Sequence, residues 1–200
     1  MAITTYAELQ TAAANWLNRA DLTSRIPEFI ALAEAKFNRS LRVRNMVQRD
    51  TAFQITGEFV AVPVGFLEAI SFRTNNSPRR SLIMMPDDQQ NFEYSTGSER
   101  PYFYNVVGDS FHFANVPDQT YAATLIYYKA ITALATTSPN WLLTSHPDIY
   151  LYGTLLESAP FLGADDRLQT WAAMLDKCVA DLKTQDSRAK TANGMAVRAA

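Results

Sequence analysis

Two histidines and two carboxylate pairs are the residues of this chain whose types suit catalysis. His112 and His146 are the only imidazoles. A Ser-His-Asp arrangement needs one of them beside a serine and an acid, and neither belongs to such a constellation. His112 alternates with Phe111 and Phe113 in a strand-like stretch, and His146 adjoins a helix-start signal. Asp87-Asp88 and Asp165-Asp166 resemble paired carboxylates for metal binding or acid–base work. Each pair opens a predicted helix, where the positive end of the helix dipole favours acids without any catalytic role. No glycine-rich phosphate loop, HExxH pattern or EF-hand spacing occurs. Catalysis is therefore not expected, and neither is a metal or a cofactor.

The basic residues are the more telling pattern. Lys36, Arg39, Arg42, Arg44 and Arg49 follow one another with no acid among them. Lys36, Arg39 and Arg42 fall on the flank and back of a helix, away from its apolar arc. Such a run can meet a phosphate backbone, or pair with acids on a neighbouring chain. The net charge of −2 and the lack of interleaved base-stacking rings favour pairing. Aromatic residues point the same way. Tyr102-Phe103-Tyr104 and Tyr127-Tyr128 put rings on both faces of their strands, so one face packs on helices or meets another chain. An oligomer is the expectation.

These residues must be positioned by a chain of 200 residues, 48% apolar and 19% charged, which suits one domain or two small ones with a real core. The single cysteine, Cys178, excludes a disulfide framework and a cysteine-based zinc cage, and reads as a small buried hydrophobe. No run of eighteen apolar residues and no secretory signal is present, so a cytosolic, membrane-free origin is expected.

Periodicity assigns the elements. Thr5 and Glu8 have capping-box spacing ahead of a first helix. A second follows with Leu22, Ile26, Phe29, Ile30, Ala33 and Phe37 on one arc. Pro27 must lie in its first turn, so Thr23 or Ser24 is the expected cap, and the helix runs to about Arg42. From Gln48 the period becomes two, giving strands over 51–55, 58–62, 67–74, 82–85, 102–107, 110–114 and 120–128, with a short helix at 86–92. The stretch Asn140–Leu162 holds only Asp148 and Glu157 as charges. It predicts a helix from Pro147 to Phe161, capped by Ser145, with a broad apolar arc and a seam at Gly153. A last helix carries Leu168, Trp171, Leu175, Cys178, Val179 and Leu182 on one stripe, which stops at Thr184.

The expected fold class is α+β. A helical bundle is built from both chain ends, residues 1–47 and 140–185, with a small antiparallel β domain, barrel or sandwich, inserted at 48–139. Residues 186–200 are expected to be a flexible tail.

Several phrases in chain order resemble the head–tail adaptor proteins of short-tailed phages and related prophages. They are Thr5–Gln10 and Trp16–Thr23, Ile26–Arg42, Val62–Glu68, Asn140–Thr144, Pro147–Pro160, and Arg167–Trp171 with Leu182. The resemblance implies a structural virion protein without enzyme activity, located in the neck of the virion and in the host cytoplasm before assembly. It implies a homo-oligomeric ring, commonly a dodecamer, beneath the portal protein. Such a ring extends the channel for genomic DNA and is the platform for the tail nozzle or tail-tube protein and tail fibres. It suggests that Lys36, Arg39, Arg42, Arg44 and Arg49 bridge subunits or face the channel. Tyr150, Tyr152 and Gly153 would serve on an assembly helix. Arg188, Lys190, Met195, Val197 and Arg198 would touch the portal.

Two other classes compete on the residues alone. A ligand-binding β module on a helical base predicts a pocket lined by Tyr102, Tyr104 and Tyr127. A carboxylate-dependent hydrolase predicts two acids facing across a cleft.

Overall fold

The computed structural model describes residues 2–85, 97–163 and 165–191. The chain is α+β and divides into two compact units, the described parts of 1–45 with 131–200, and 46–130. The second boundary falls at Ile131, ahead of Asn140. The predicted helix at 86–92 lies outside the described residues.

In the helical unit, α1 spans Tyr6–Leu17. Its capping box forms as the spacing predicts: Thr5 Oγ1 accepts the Glu8 N–H at 3.2 Å, and Glu8 Oε2 accepts the Thr5 N–H at 2.9 Å. Asn18, left-handed at φ 52°, ends the helix. α2 spans Ile26–Ser40 and starts differently from expectation. Thr23 and Ser24 do not cap it; they sit in a 3-10 turn, Ala20–Arg25, that runs straight into the helix, with Pro27 in the first turn. It stops at Ser40, short of Arg42, because Leu41 turns extended and is buried together with Val43.

A five-residue α3, Trp141–Ser145, precedes α4, Pro147–Glu157, and α5, Ala159–Leu162. Sequence periodicity merges the last two, but α4 ends at Glu157, and Pro160 in α5 lacks the N–H that would continue the ladder. Ser145 ends α3 and does not cap α4, whose N-cap is His146 with no side-chain bond. α6 spans Arg167–Thr191, past the Thr184 limit drawn from the apolar stripe. α4 packs against α1, α2 and α6. That explains its breadth of apolar surface: Ile149, Tyr150, Leu151, Gly153, Thr154 and Leu155 are all buried.

The described residues of the second unit form two four-stranded sheets. β1 (Val47–Ile55), β8 (Tyr121–Lys129), β3 (Phe66–Thr74) and β4 (Arg80–Ser81) form one, in that order. β2 (Phe59–Ala61), β7 (Ser110–Phe113), β6 (Phe103–Val107) and β5 (Ile83–Met84) form the other. Pairing is antiparallel except between β5 and β6, which run parallel. The β6–β7 hairpin turns at Gly108, whose φ of 58° needs no Cβ accommodation in glycine. Both sheets contribute to one core. Phe111 of β7 meets Phe53 of β1 at 5.7 Å and Phe72 of β3 at 5.1 Å between ring centroids. Facing sheets with interleaved rings are a sandwich arrangement.

Candidate functional site

A buried polar network lies among the helices. Glu34 of α2 accepts the Leu134 N–H at 2.8 Å and the Tyr150 hydroxyl at 3.1 Å. The Asn140 amide donates to the Tyr150 oxygen at 2.6 Å and to the Thr132 carbonyl at 2.8 Å, while its own oxygen caps α3 through the Leu143 N–H at 2.9 Å. Asn38 Oδ1 accepts the Ile131 N–H at 2.7 Å. Burial raises the Glu34 carboxyl above the usual range against these hydrogen bonds, and it raises the Tyr150 hydroxyl too. These groups hold the segment 131–140 onto α2 and α4. Sequence reading gave Glu34, Asn38 and Asn140 no role, since they look like ordinary polar positions when their partners are distant in the chain.

Tyr150 and Gly153 belong to this interior. Tyr150 is fully buried against Phe37 at 5.5 Å, and a Cβ on Gly153 would stand 2.5 Å from the Phe37 ring tip. Both are buried within their own unit. Tyr152 is half-buried and packs edge-on against the half-exposed Trp16 at 5.9 Å.

The basic residues separate. Lys36 pairs with Glu157 of its own chain at 3.6 Å. Arg42 donates to the Asn38 carbonyl at 2.9 Å and the Leu41 carbonyl at 2.6 Å, closing the end of α2. Arg39 and Arg44 are exposed on the helical unit, and Arg49 is exposed on β1. Arg188 is exposed on α6, which also contains Lys190, so neither lies in a structureless tail. Met195, Val197 and Arg198 lie outside the described residues.

A cavity of about 220 Å³ opens in the helical unit between Val43–Asn45, Ser145–His146 and the α6 residues Leu182, Gln185 and Asp186. The Asp186 carboxylate on its wall is buried and accepts the Arg44 N–H at 2.8 Å. That bond places Asp186 inside the fold, where the flexible tail had been expected to begin.

In the β unit, Tyr104 and Tyr127 are core residues, and Tyr102 lies outside against Phe103 and Arg80. Tyr102 thus stands apart from the other two. His112 stacks on the exposed Phe59 at 4.3 Å and meets Glu58 at 3.2 Å. Asp165 is ion-paired with Arg167 at 2.7 Å, which holds its carboxyl below the usual range. Asp87 and Asp88 lie outside the described residues. No group of three or more potential metal ligands occurs among the described residues, and no helix there is long and apolar enough to cross a membrane.

The family model described as SU10 adaptor protein matches residues 4–198. No curated protein matches the chain.

Proposed function

The chain belongs to the SU10 adaptor protein family, and on that premise we propose that it is a structural protein joining head to tail in the virion. In this reading, copies of the chain form a ring beneath the portal protein, dodecameric as in the adaptors it resembles. The ring extends the DNA channel and offers the platform on which the tail nozzle or tail-tube protein docks. The protein acts in the neck of the virion, after folding in the host cytoplasm, and performs no chemical step.

The observation that carries this reading is the family match over nearly the whole chain. The architecture suits it. We read α1, α2, α4 and α6 as one bundle closed from both chain ends, a rigid base for assembly, with the β sandwich as the inserted unit. Arg39 and Arg44, exposed on that base, are the cations suited to pair with acids of the next subunit. Strong attraction to DNA would slow its passage, so pairing between subunits suits these arginines better than lining the channel. Arg188, exposed near the end of α6, is the described residue we assign to the portal contact.

Electron microscopy of the protein mixed with the portal encoded in the same genome tests the reading. A ring of density stacked coaxially on the portal is the expected image. Portal particles that remain bare at saturating protein would sink it. Arg39→Glu with Arg44→Glu should weaken ring formation in sedimentation runs. Full assembly of that double variant would remove the arginines from the interface.

A further inference from the structure

β1 is the first strand of its sheet and forms one edge of it. On the inner side it pairs with β8, from Val47 opposite Tyr128 to Ile55 opposite Tyr121. Among the described residues, no main-chain hydrogen bond reaches β1 from the other side. The strand is nine residues long and only Phe53 and Ile55 are buried. An open edge of that length is a template for a further strand unless something closes it.

The fold closes part of it. A bulge interrupts the ladder between Asp50 and Phe53. There Asp50 Oδ1 accepts the Ala52 N–H at 2.9 Å, and Gln54 Nε2 donates to the Ala52 carbonyl at 3.3 Å. Both main-chain polar groups of Ala52 are thus occupied by side chains of its own strand. Among the described residues, the main-chain groups of Val47–Asp50 that point away from β8 have no comparable protection. The open stretch is therefore Val47–Asp50, delimited by a self-capped bulge.

We propose that Val47–Asp50 is a β-augmentation surface. It takes an extended segment of a different virion protein, acidic opposite Arg49 and apolar opposite Val47. The inference rests on the adaptor reading above. Arg49 shares a face of the sheet with Ile126 and Ser71, and Val47 lies across from Tyr128 on that same face. An incoming strand is therefore selected by one charge pair and one apolar pair two residues apart. Register is fixed as well, because a slip of one residue turns both side chains to the wrong face.

A second copy of this chain is the poorer occupant. Its other described edges are β2, with three residues, and β4 and β5, with two each, too short to extend a sheet. β1 against β1 is two-fold symmetric and closes a pair, using up the edge without propagating a ring.

Hydrogen exchange read by mass spectrometry tests this on the full chain alone, with the portal protein, and with the tail-tube protein of the same virion. Of the amides 47–50, those that point away from β8 should slow about tenfold or more in one of the two complexes. Arg49→Glu should weaken that complex about tenfold, while Arg79→Glu, at an exposed loop position, should leave it unchanged. Complexes that form with these amides exchanging at the free rate would overturn the augmentation surface and leave the adaptor reading standing. Protection that arises in the chain alone as it self-assembles would also overturn it, in favour of a second copy. If neither protein binds, the adaptor reading fails first and this surface with it.

Discussion

The carboxylate of Asp186 accepts the main-chain N–H of Arg44 at 2.8 Å, across 142 positions of sequence. Asp186 lies near the end of α6 and is 7% exposed. Arg44 lies just past the end of α2. One hydrogen bond therefore ties the last helix to the segment that follows the second. Asn38 and Glu34 do the same for the returning chain, by accepting the N–H groups of Ile131 and Leu134. Backbone donors in irregular segments need such acceptors when water cannot reach them.

Asp186→Ala should leave the Arg44 N–H unpaired and cost about 1–3 kcal/mol of stability. Asp186→Asn keeps an acceptor oxygen and should cost less. Urea midpoints of the two variants give the comparison, together with exchange rates over the last turns of α6. A midpoint in the alanine variant equal to wild type would show that water replaces the carboxylate there.

Gly153→Ala tests how closely α4 is packed. The new methyl would meet the Phe37 ring at 2.5 Å, and Phe37 is itself held edge-on against Tyr150. Overpacking of this kind costs about 1–3 kcal/mol, against a gain of about 1 kcal/mol in helix propensity. A net loss of stability is expected. A rise in Tm would mean that Phe37 swings aside freely.

Glu34 should make stability depend on pH with an unusual sign. Burial raises its carboxyl in the folded state above the unfolded value. Its stabilising contribution is therefore complete below the ordinary carboxylate pKa of about 4.3, and is lost as pH rises through the folded value. Glu34→Gln keeps an oxygen for the Leu134 N–H and the Tyr150 hydroxyl, and no longer titrates. The wild type should gain on this variant as pH falls from neutral toward that window, read as the difference in denaturation midpoints. A difference that does not change with pH would show that Glu34 is hydrated.

Cys178 should be a sluggish nucleophile. Burial, then a hydrogen bond and charge from Asp148, push its thiol up to about 11. Labelling by a maleimide at pH 7 should be slow and should accelerate steeply toward pH 11. Rapid labelling of the folded protein at neutral pH would contradict this.

The sequence was most legible where a signal is local. Thr5 and Glu8 specify a helix start within four residues, and the alternation of Phe111 with Phe113 marks a strand with one buried face. The breadth of apolar surface around Gly153 was legible too. Its meaning was not, because one helix cannot reveal how many others surround it. The misses are long-range. Glu34 finds its acceptor role 100 residues away, and Asp186 lies beyond the point where apolar periodicity stops. A polar residue buried by a distant partner leaves no periodic trace. The self-capped bulge at Ala52 was hidden for a related reason: Asp50 and Gln54 read as ordinary exposed positions until the ladder shows the irregularity between them.

The central place of α4 has a consequence for synthesis. α1 and α2 leave the ribosome before α4, yet the helix that covers both begins only at Pro147. Every strand of the β unit is translated in the interval. Two amphipathic helices must therefore wait with uncovered apolar faces while the sandwich is completed, and close only when the chain returns. That order puts the exposed interval early, in the nascent chain, and makes α4 the element whose arrival ends it.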